Sequence, residues 1–259
     1  MPEIITSLHN PKVKELQLLE TKSRERRARG LFVVEGLREF DRAVKCGFKP
    51  VTVFALENVS CPGDCEDKVF RVSQPVYEKI AYRGSTEGLV AIMESRDFRL
   101  DELNPGPSPL VIVLESVEKP GNLGAVLRTA DAAGVSAVII CDPLTDIYNP
   151  NLIRASLGAV FSVPVVACPS GEAYQWLKLH GMSVLTAQLQ DSKPYYDTDM
   201  IRPTALVFGA EDTGLSDFWR ERADAHIRIP MTGLMDSLNV SVSAAILCFE
   251  AVRQRNSSK

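Results

Sequence analysis

Apolar and polar positions along the chain alternate in two different ways. In the first half the pattern predicts a charged helix over residues 11–27 and a short buried strand over 31–35, LFVVE. A helix over 37–45 follows, stopped by Gly47 just past its end. Strands over 51–56, 69–72 and 88–93 and a helix over 75–82 complete a small α/β pattern. The second half alternates continuous apolar runs with helical periods. Strands are predicted near 110–114, 137–141, 163–167, 183–187, 205–208 and 226–229, and helices near 122–133, 150–157, 172–180, 217–222 and 237–255. Uninterrupted apolar strands separated by helices predict a mainly parallel sheet covered on both faces. The fold class is therefore α/β, with a small domain over 1–102, a linker over 103–109 and a larger domain over 110–259. The linker, LNPGPSP, is where proline and glycine concentrate. The last helix carries two apolar stripes, Leu238, Val242, Ile246, Phe249, Val252 and Val240, Ala244, Leu247, Ala251. Such a helix is buried on nearly all sides or covered by a partner subunit.

Composition changes this picture little. The 259 residues are 45% hydrophobic and 24% charged, an ordinary globular mix with core enough to need no staples. No apolar run reaches membrane-spanning length and the N-terminus has no apolar leader, so the expected location is the cytoplasm. Cys141, Cys168 and Cys248 sit in apolar runs and read as core residues. Cys61 and Cys65 flank a turn, but the zinc reading lacks two further ligands nearby, and no metal site is expected. The net charge of −4 disfavours nucleic acid mildly, yet residues 1–30 hold 7 basic against 4 acidic side chains. The cluster Arg24, Arg26, Arg27, Arg29 can hold phosphates despite the acidic total, or be a solvated helix end.

Three stretches fall where the predicted strands end, the place where ligands bind in open α/β sheets. In ESVEKPGNLGAVLRT (115–129), Asn122 is a candidate helix N-cap and Gly124 permits close approach. Arg128 lies six residues beyond Asn122, so both can address one mouth; read alone, this is an ordinary strand–turn–helix junction. No G-x-G-x-x-G occurs there, which disfavours a nicotinamide-dependent oxidoreductase. In LVFGAEDTGL (206–215), Gly209 permits close backbone approach and Glu211 sets a carboxylate at a strand end, or merely favours the following helix N-terminus. In IRIPMTGLMDSLNVSV (227–242), Ser237 is the N-cap candidate of the last helix, which leaves the amide of Asn239 to find partners.

Together and in this order, these stretches resemble the SpoU/TrmH family of RNA ribose methyltransferases, within the SPOUT superfamily. The matching pieces are N-x-G-x-x-x-R-T at 122–129, G-x-E-x-x-G-L at 209–215, and I-P-M-x-G with S-L-N-V-S-V at 229–242. The first half looks like the family's small RNA-binding domain, on S-x-x-N-P-x-V-K at 7–14 and F-V-V-E-G at 32–36. The resemblance implies a trefoil knot, which general topology rules disfavour. It implies S-adenosylmethionine as methyl donor and a homodimer through the C-terminal domain. The donor pocket should then involve Gly209, Ile229 and Leu238, with Thr186 and Ala187 beside them. Arg128 is the expected catalytic residue, with Asn122, Glu211, Ser237 and Asn239 orienting it, the RNA or the pocket. A guanidinium hardly ever loses its proton, so Arg128 is expected to hold a phosphate and stabilise charge on the 2′-oxygen rather than act as a base. RNA, ribosomal more than transfer, is expected on Lys12, Lys14, Arg24, Arg26, Arg27, Arg29, Arg38 and Arg42. Displacement at a sulfonium methyl requires no metal. Two other readings stand beside this one, a non-catalytic RNA-binding module of the same fold and a methyltransferase acting on a base nitrogen.

Overall fold

The computed structural model describes residues 4–62, 65–82 and 87–257. Packing separates two compact units, Met1–Arg96 with Asp146–Ser162, and Asp97–Thr145 with Val163–Lys259. In the first unit α1 (Pro11–Thr21) begins where the Asn10 side chain accepts from the Lys12 amide, with Pro11 in the first turn, where its missing N–H is harmless. It stops at Lys22, whose φ of −117° and ψ of 103° are extended, and α2 (Ser23–Arg29) restarts from there. The single helix predicted over 11–27 is thus two. The break has a cause in Arg26, whose Nη1 turns back to the carbonyls of Leu19 and Glu20 at 2.6 and 3.1 Å. Those carbonyls sit at the end of α1, where backbone acceptors lose their partners within the helix. There follow β1 (Leu31–Glu35), α3 (Leu37–Lys45), β2 (Pro50–Ala55), β3 (Val69–Arg71), α4 (Gln74–Ile80) and β4 (Leu89–Glu94). The sheet runs β1-β4-β2-β3, with β4 antiparallel to both neighbours and β2 parallel to β3. Val13, Leu16 and Leu19 of α1 pack on Val33, Phe54 and Ile92 of its face.

The second unit opens with β5 (Leu110–Glu115), α5 (Pro120–Ala133) and β6 (Ala137–Cys141). The chain then gives a segment back to the first unit, holding α6 (Pro150–Ala155) and α7 (Ala159–Ser162). Phe32 of β1 stacks on Tyr148 of this segment at 4.4 Å and meets Phe161 at 5.8 Å. Asp146 forms a 2.7 Å ion pair with Arg26. This division differs from the boundary expected at 103–109. Phe98, Leu100 and Leu103 already pack against the core of the second unit, and a Pro- and Gly-rich composition does not report that.

The rest of the second unit comprises β7 (Val165–Cys168), α8 (Ser170–Leu179), β8 (Ser183–Ala187), β9 (Lys193–Pro194), β10 (Thr204–Phe208), α9 (Asp217–Arg222), β11 (Ala225–Arg228) and α10 (Val240–Ser257). Its sheet runs β7-β6-β5-β10-β8-β11-β9, and every pairing is parallel. The α/β class and the mainly parallel sheet are as the periodicity predicts. β5, β6 and β10 are buried at every position, which is why they read as continuous apolar runs. β9 is two residues long and was not predicted. After β11 the chain passes the turn that follows β10, and α10 packs on α5, β5 and β10.

Candidate active site

A cavity of about 570 Å³ opens at the C-terminal ends of β8, β10 and β11. Its walls are Ala187, Phe208, Gly209 and Ile227 from the strand ends, then the turns 210–215 and 228–239 and the start of α10. Strand-end loops gather there because strand backbones point that way and the helices cover the faces. The turn after β10 is unusually tight. The Gly214 amide donates to the Ala210 carbonyl at 3.0 Å, and Gly214 has a φ of +68°. A Cβ on Gly209 would lie 2.2 Å from the Gly214 carbonyl carbon and 2.4 Å from the Leu215 nitrogen, so only glycine fits. Glu115, 7% exposed at the end of β5, clamps the far side of the turn by accepting from the Ser216 amide at 2.8 Å and hydroxyl at 2.6 Å.

At the edge of the cavity the three strand-end stretches meet through their side chains. The Asn122 amide donates to Glu211 Oε1 at 2.5 Å, and Asn239 Nδ2 donates to the same oxygen at 2.9 Å and to Asn122 Oδ1 at 3.1 Å. Lys119 Nζ donates to Glu211 Oε2. Asn239 Oδ1 accepts from the Ser241 amide at 2.9 Å and hydroxyl at 2.6 Å. The Lys119 ammonium, followed by the Asn122 amide, holds the Glu211 carboxyl below its ordinary value, and Glu211 raises Lys119 in return. Both groups are exposed, so the pair sets geometry and ionisation more than stability. An ionised carboxylate with both oxygens occupied is a poor base and a good positioning group.

Two local expectations are corrected here. Asn122 is not the cap of α5, which starts two residues earlier at Pro120, so its amide is free to reach Glu211. Ser237 is not the cap of the last helix, which starts at Val240 and takes Asn239 as its capping side chain. One amide therefore does two tasks, its oxygen capping α10 and its nitrogen joining the network. Ser237, Ile229, Leu238, Gly209 and Ala187 all line the cavity. Thr186 does not: it is fully buried, and its hydroxyl lies 2.6 Å from His226 Nδ1 on the neighbouring strand. Arg128 is on the exposed side of α5. Among the described residues it has no hydrogen-bond or ion-pair partner, and it neither lines the cavity nor joins the network.

In the first unit Lys14, Arg24, Arg27, Arg29, Arg38 and Arg42 are exposed, and Lys12 is half-buried with its ammonium 4.4 Å over the Phe70 ring. Arg29 pairs with Glu15 and Glu25, Arg38 pairs with Glu87, and Arg42 donates to the Leu157 carbonyl at 2.8 Å. Arg26 is a correction. It is 4% exposed, and Asp146 and two carbonyls take up its guanidinium, leaving no face for a phosphate. Cys61 and Cys65 are joined as a disulfide, and Cys141, Cys168 and Cys248 are free and buried. Among the described residues no helix is long and apolar enough to cross a membrane. Sequence reasoning missed Lys119, Glu115 and Arg220, the last a side chain of α9 in the cavity wall. Each stood within a stretch already singled out or just after it, but a lone charge beside a glycine turn gives no sign of which loop it will reach.

Comparison with known proteins adds two matches along the chain. The SpoU rRNA methylase family matches residues 109–249, and the MRM3-like substrate binding domain matches residues 10–91. The 23S rRNA (guanosine(2553)-2′-O)-methyltransferase RlmP of Bacillus subtilis is 30% identical over 95% of this chain and 97% of its own length. The 23S rRNA (uridine(2479)-2′-O)-methyltransferase of Streptomyces viridochromogenes is 30% identical over 98% of this chain and 93% of its own. The crystal structure of an AdoMet-bound rRNA methyltransferase from Sinorhizobium meliloti superposes with a TM-score of 0.88 at 32% identity, covering 97% of each chain.

Proposed function

This chain belongs to the SpoU rRNA methylase family, and from that premise we propose that it methylates a ribose 2′-hydroxyl of 23S ribosomal RNA in the cytoplasm. It is an S-adenosylmethionine-dependent RNA 2′-O-methyltransferase. The ribosomal substrate is supported by the relatives matched over nearly their whole length, which act on that RNA by name. One observation carries the placement of the reaction: Asn122, Glu211 and Asn239, from three separate loops, interlock at the rim of the cavity.

The cavity suits the donor. Its volume is that of a small-molecule site, its walls are strand-end backbone with apolar side chains, and Glu211, Asp212 and Asp236 set negative charge beside it. When bound, S-adenosylmethionine supplies an electrophilic methyl on a sulfonium. Phe208, Leu215 and Leu247 would hold its apolar ring, with Gly209 and Ile229 offering backbone groups to the ring edge. Asn239, Asn122 and Glu211 fix the rim where the ribose must arrive, and Ser237 sits beside them in the lining.

Arg128 completes the site from a second subunit. It lies on an exposed face of α5, the helix on which α10 packs. The inner stripe of α10, with Val240, Ala244, Leu247 and Ala251, is buried, whereas Leu238, Val242 and Phe249 on the other stripe are 40%, 45% and 48% exposed. A second copy covering that stripe would make a homodimer and bring Arg128 to the partner's cavity, where it would hold the target phosphate. Lys14, Arg24, Arg27, Arg38 and Arg42 would carry the RNA by phosphate contacts, with a negative salt slope. Mapping 2′-O-methyl positions in ribosomal RNA from cells with and without this gene tests the reading. One position lost from 23S RNA supports it; an unchanged map refutes it.

A further inference from the structure

Arg220, on α9, is a half-buried member of the cavity wall. Its guanidinium lies beside the tight turn, where a Cβ on Gly214 would stand 3.5 Å from Nη2. Its Nε is buried and has no hydrogen-bond partner, and among the described residues the side chain forms no ion pair. The other arginine of the wall, Arg228, donates to the Ser192 carbonyl. Glu211, the carboxylate of the rim network, is already taken by Lys119, Asn122 and Asn239. A buried guanidinium donor without an acceptor is an unfavourable arrangement unless a ligand completes it.

The donor carries one anionic group, the carboxylate of its amino-acid arm, and a guanidinium fork matches a carboxylate. We propose that Arg220 receives that carboxylate and so sets the selectivity for a donor bearing a complete amino-acid arm over adenosine thioethers that lack it. The inference rests on the donor occupying this cavity, as proposed above. The cavity wall carries both signs of charge, so that Arg220 would meet the carboxylate while Asp212 and Asp236 would be available to the cationic amine and sulfonium.

The test uses the full-length protein and calorimetry, with S-adenosylmethionine and 5′-methylthioadenosine as probes. The latter keeps the adenosine and sulfur but has no carboxylate. Arg220→Met retains the aliphatic stem and removes the charge. It should weaken S-adenosylmethionine binding roughly ten- to hundredfold, the range for a lost charge-assisted bond, and leave 5′-methylthioadenosine unchanged. Arg220→Lys should recover part of the loss. Equal losses for both probes, or no loss for either, would overturn the role of Arg220. Ala187→Trp, which fills the cavity from a strand end, checks the underlying placement. If it leaves binding of both probes intact while folding normally, the donor lies elsewhere and the reading of the cavity fails first.

Discussion

Removing Asp146 should destabilise the first unit far more than removing any exposed charge. Its side chain is 7% exposed and that of Arg26 is 4% exposed, with 2.7 Å between Oδ2 and Nε. Asp146→Ala leaves a guanidinium buried beside the Leu19 and Glu20 carbonyls with no counter-charge. Breaking a buried pair from one side typically costs about 3–5 kcal/mol. In a chain of this size that is a fall of roughly 6–20 °C in Tm. The Asp146 carboxylate also accepts from the Tyr148 amide at 2.9 Å, so the loss extends to the segment that stacks on Phe32. The double variant Arg26→Met with Asp146→Ala removes both charges and should be more stable than either single one, a strongly non-additive cycle. Urea unfolding of the four proteins measures it. RNA titrations decide between this role and phosphate binding. Replacing an exposed phosphate-binding arginine would leave stability alone and lower the salt slope by about one. If Arg26→Met does that, and the cycle is additive, the assignment of Arg26 to the fold is wrong.

Three further outcomes are expected. Gly209→Ala drives a Cβ to 2.2 Å from Gly214 backbone and should lose about 3 kcal/mol in thermal melts along with more than tenfold in donor affinity; wild-type values for both would show that the turn yields freely. Burial, with Glu35 adding and Arg154 opposing, raises the Glu20 carboxyl from 4.5 to about 7. The folded chain therefore holds a proton there that the unfolded chain has released, and stability falls as pH climbs through that window, by up to about 3 kcal/mol. Glu20→Gln should flatten the Tm profile between about pH 4.5 and about pH 7, and a profile unchanged by it would contradict the assignment. Mixing Arg128→Ala subunits with Asn239→Ala subunits should restore roughly a quarter of wild-type transfer, because half of the dimers then contain one complete site; if nothing is restored while mixed dimers form, Arg128 acts within its own subunit.

Much of this molecule could be read from one dimension because period and burial are coupled. β5, β6 and β10 were plain because a strand covered on both faces has no polar positions to interrupt it. Gly209 was equally plain, since it answers to a backbone contact that a Cβ would violate. What failed were statements about direction. Arg24, Arg26, Arg27 and Arg29 look alike in sequence, yet a turn of backbone at Lys22 sends one of them inward. Thr186 ends a strand beside the cavity, but strand alternation points its hydroxyl to His226 while Ala187 faces the site. The return of residues 146–162 to the first unit depends on where Phe32 needs a stacking partner, which no local window contains. A knot leaves no trace in periodicity at all, so only the family resemblance pointed to it.

The most direct measurement follows a labelled methyl group from S-adenosylmethionine into ribosomal RNA under single-turnover conditions, then digests the RNA and identifies the labelled nucleoside. Wild-type protein should place the label in one 2′-O-methylnucleoside. Asn239→Ala and Arg128→Ala should bind RNA and donor yet transfer far more slowly, since they remove a member of the rim network and the cation proposed to meet the phosphate. Label recovered on a base, or transfer at the wild-type rate by either variant, would contradict the account.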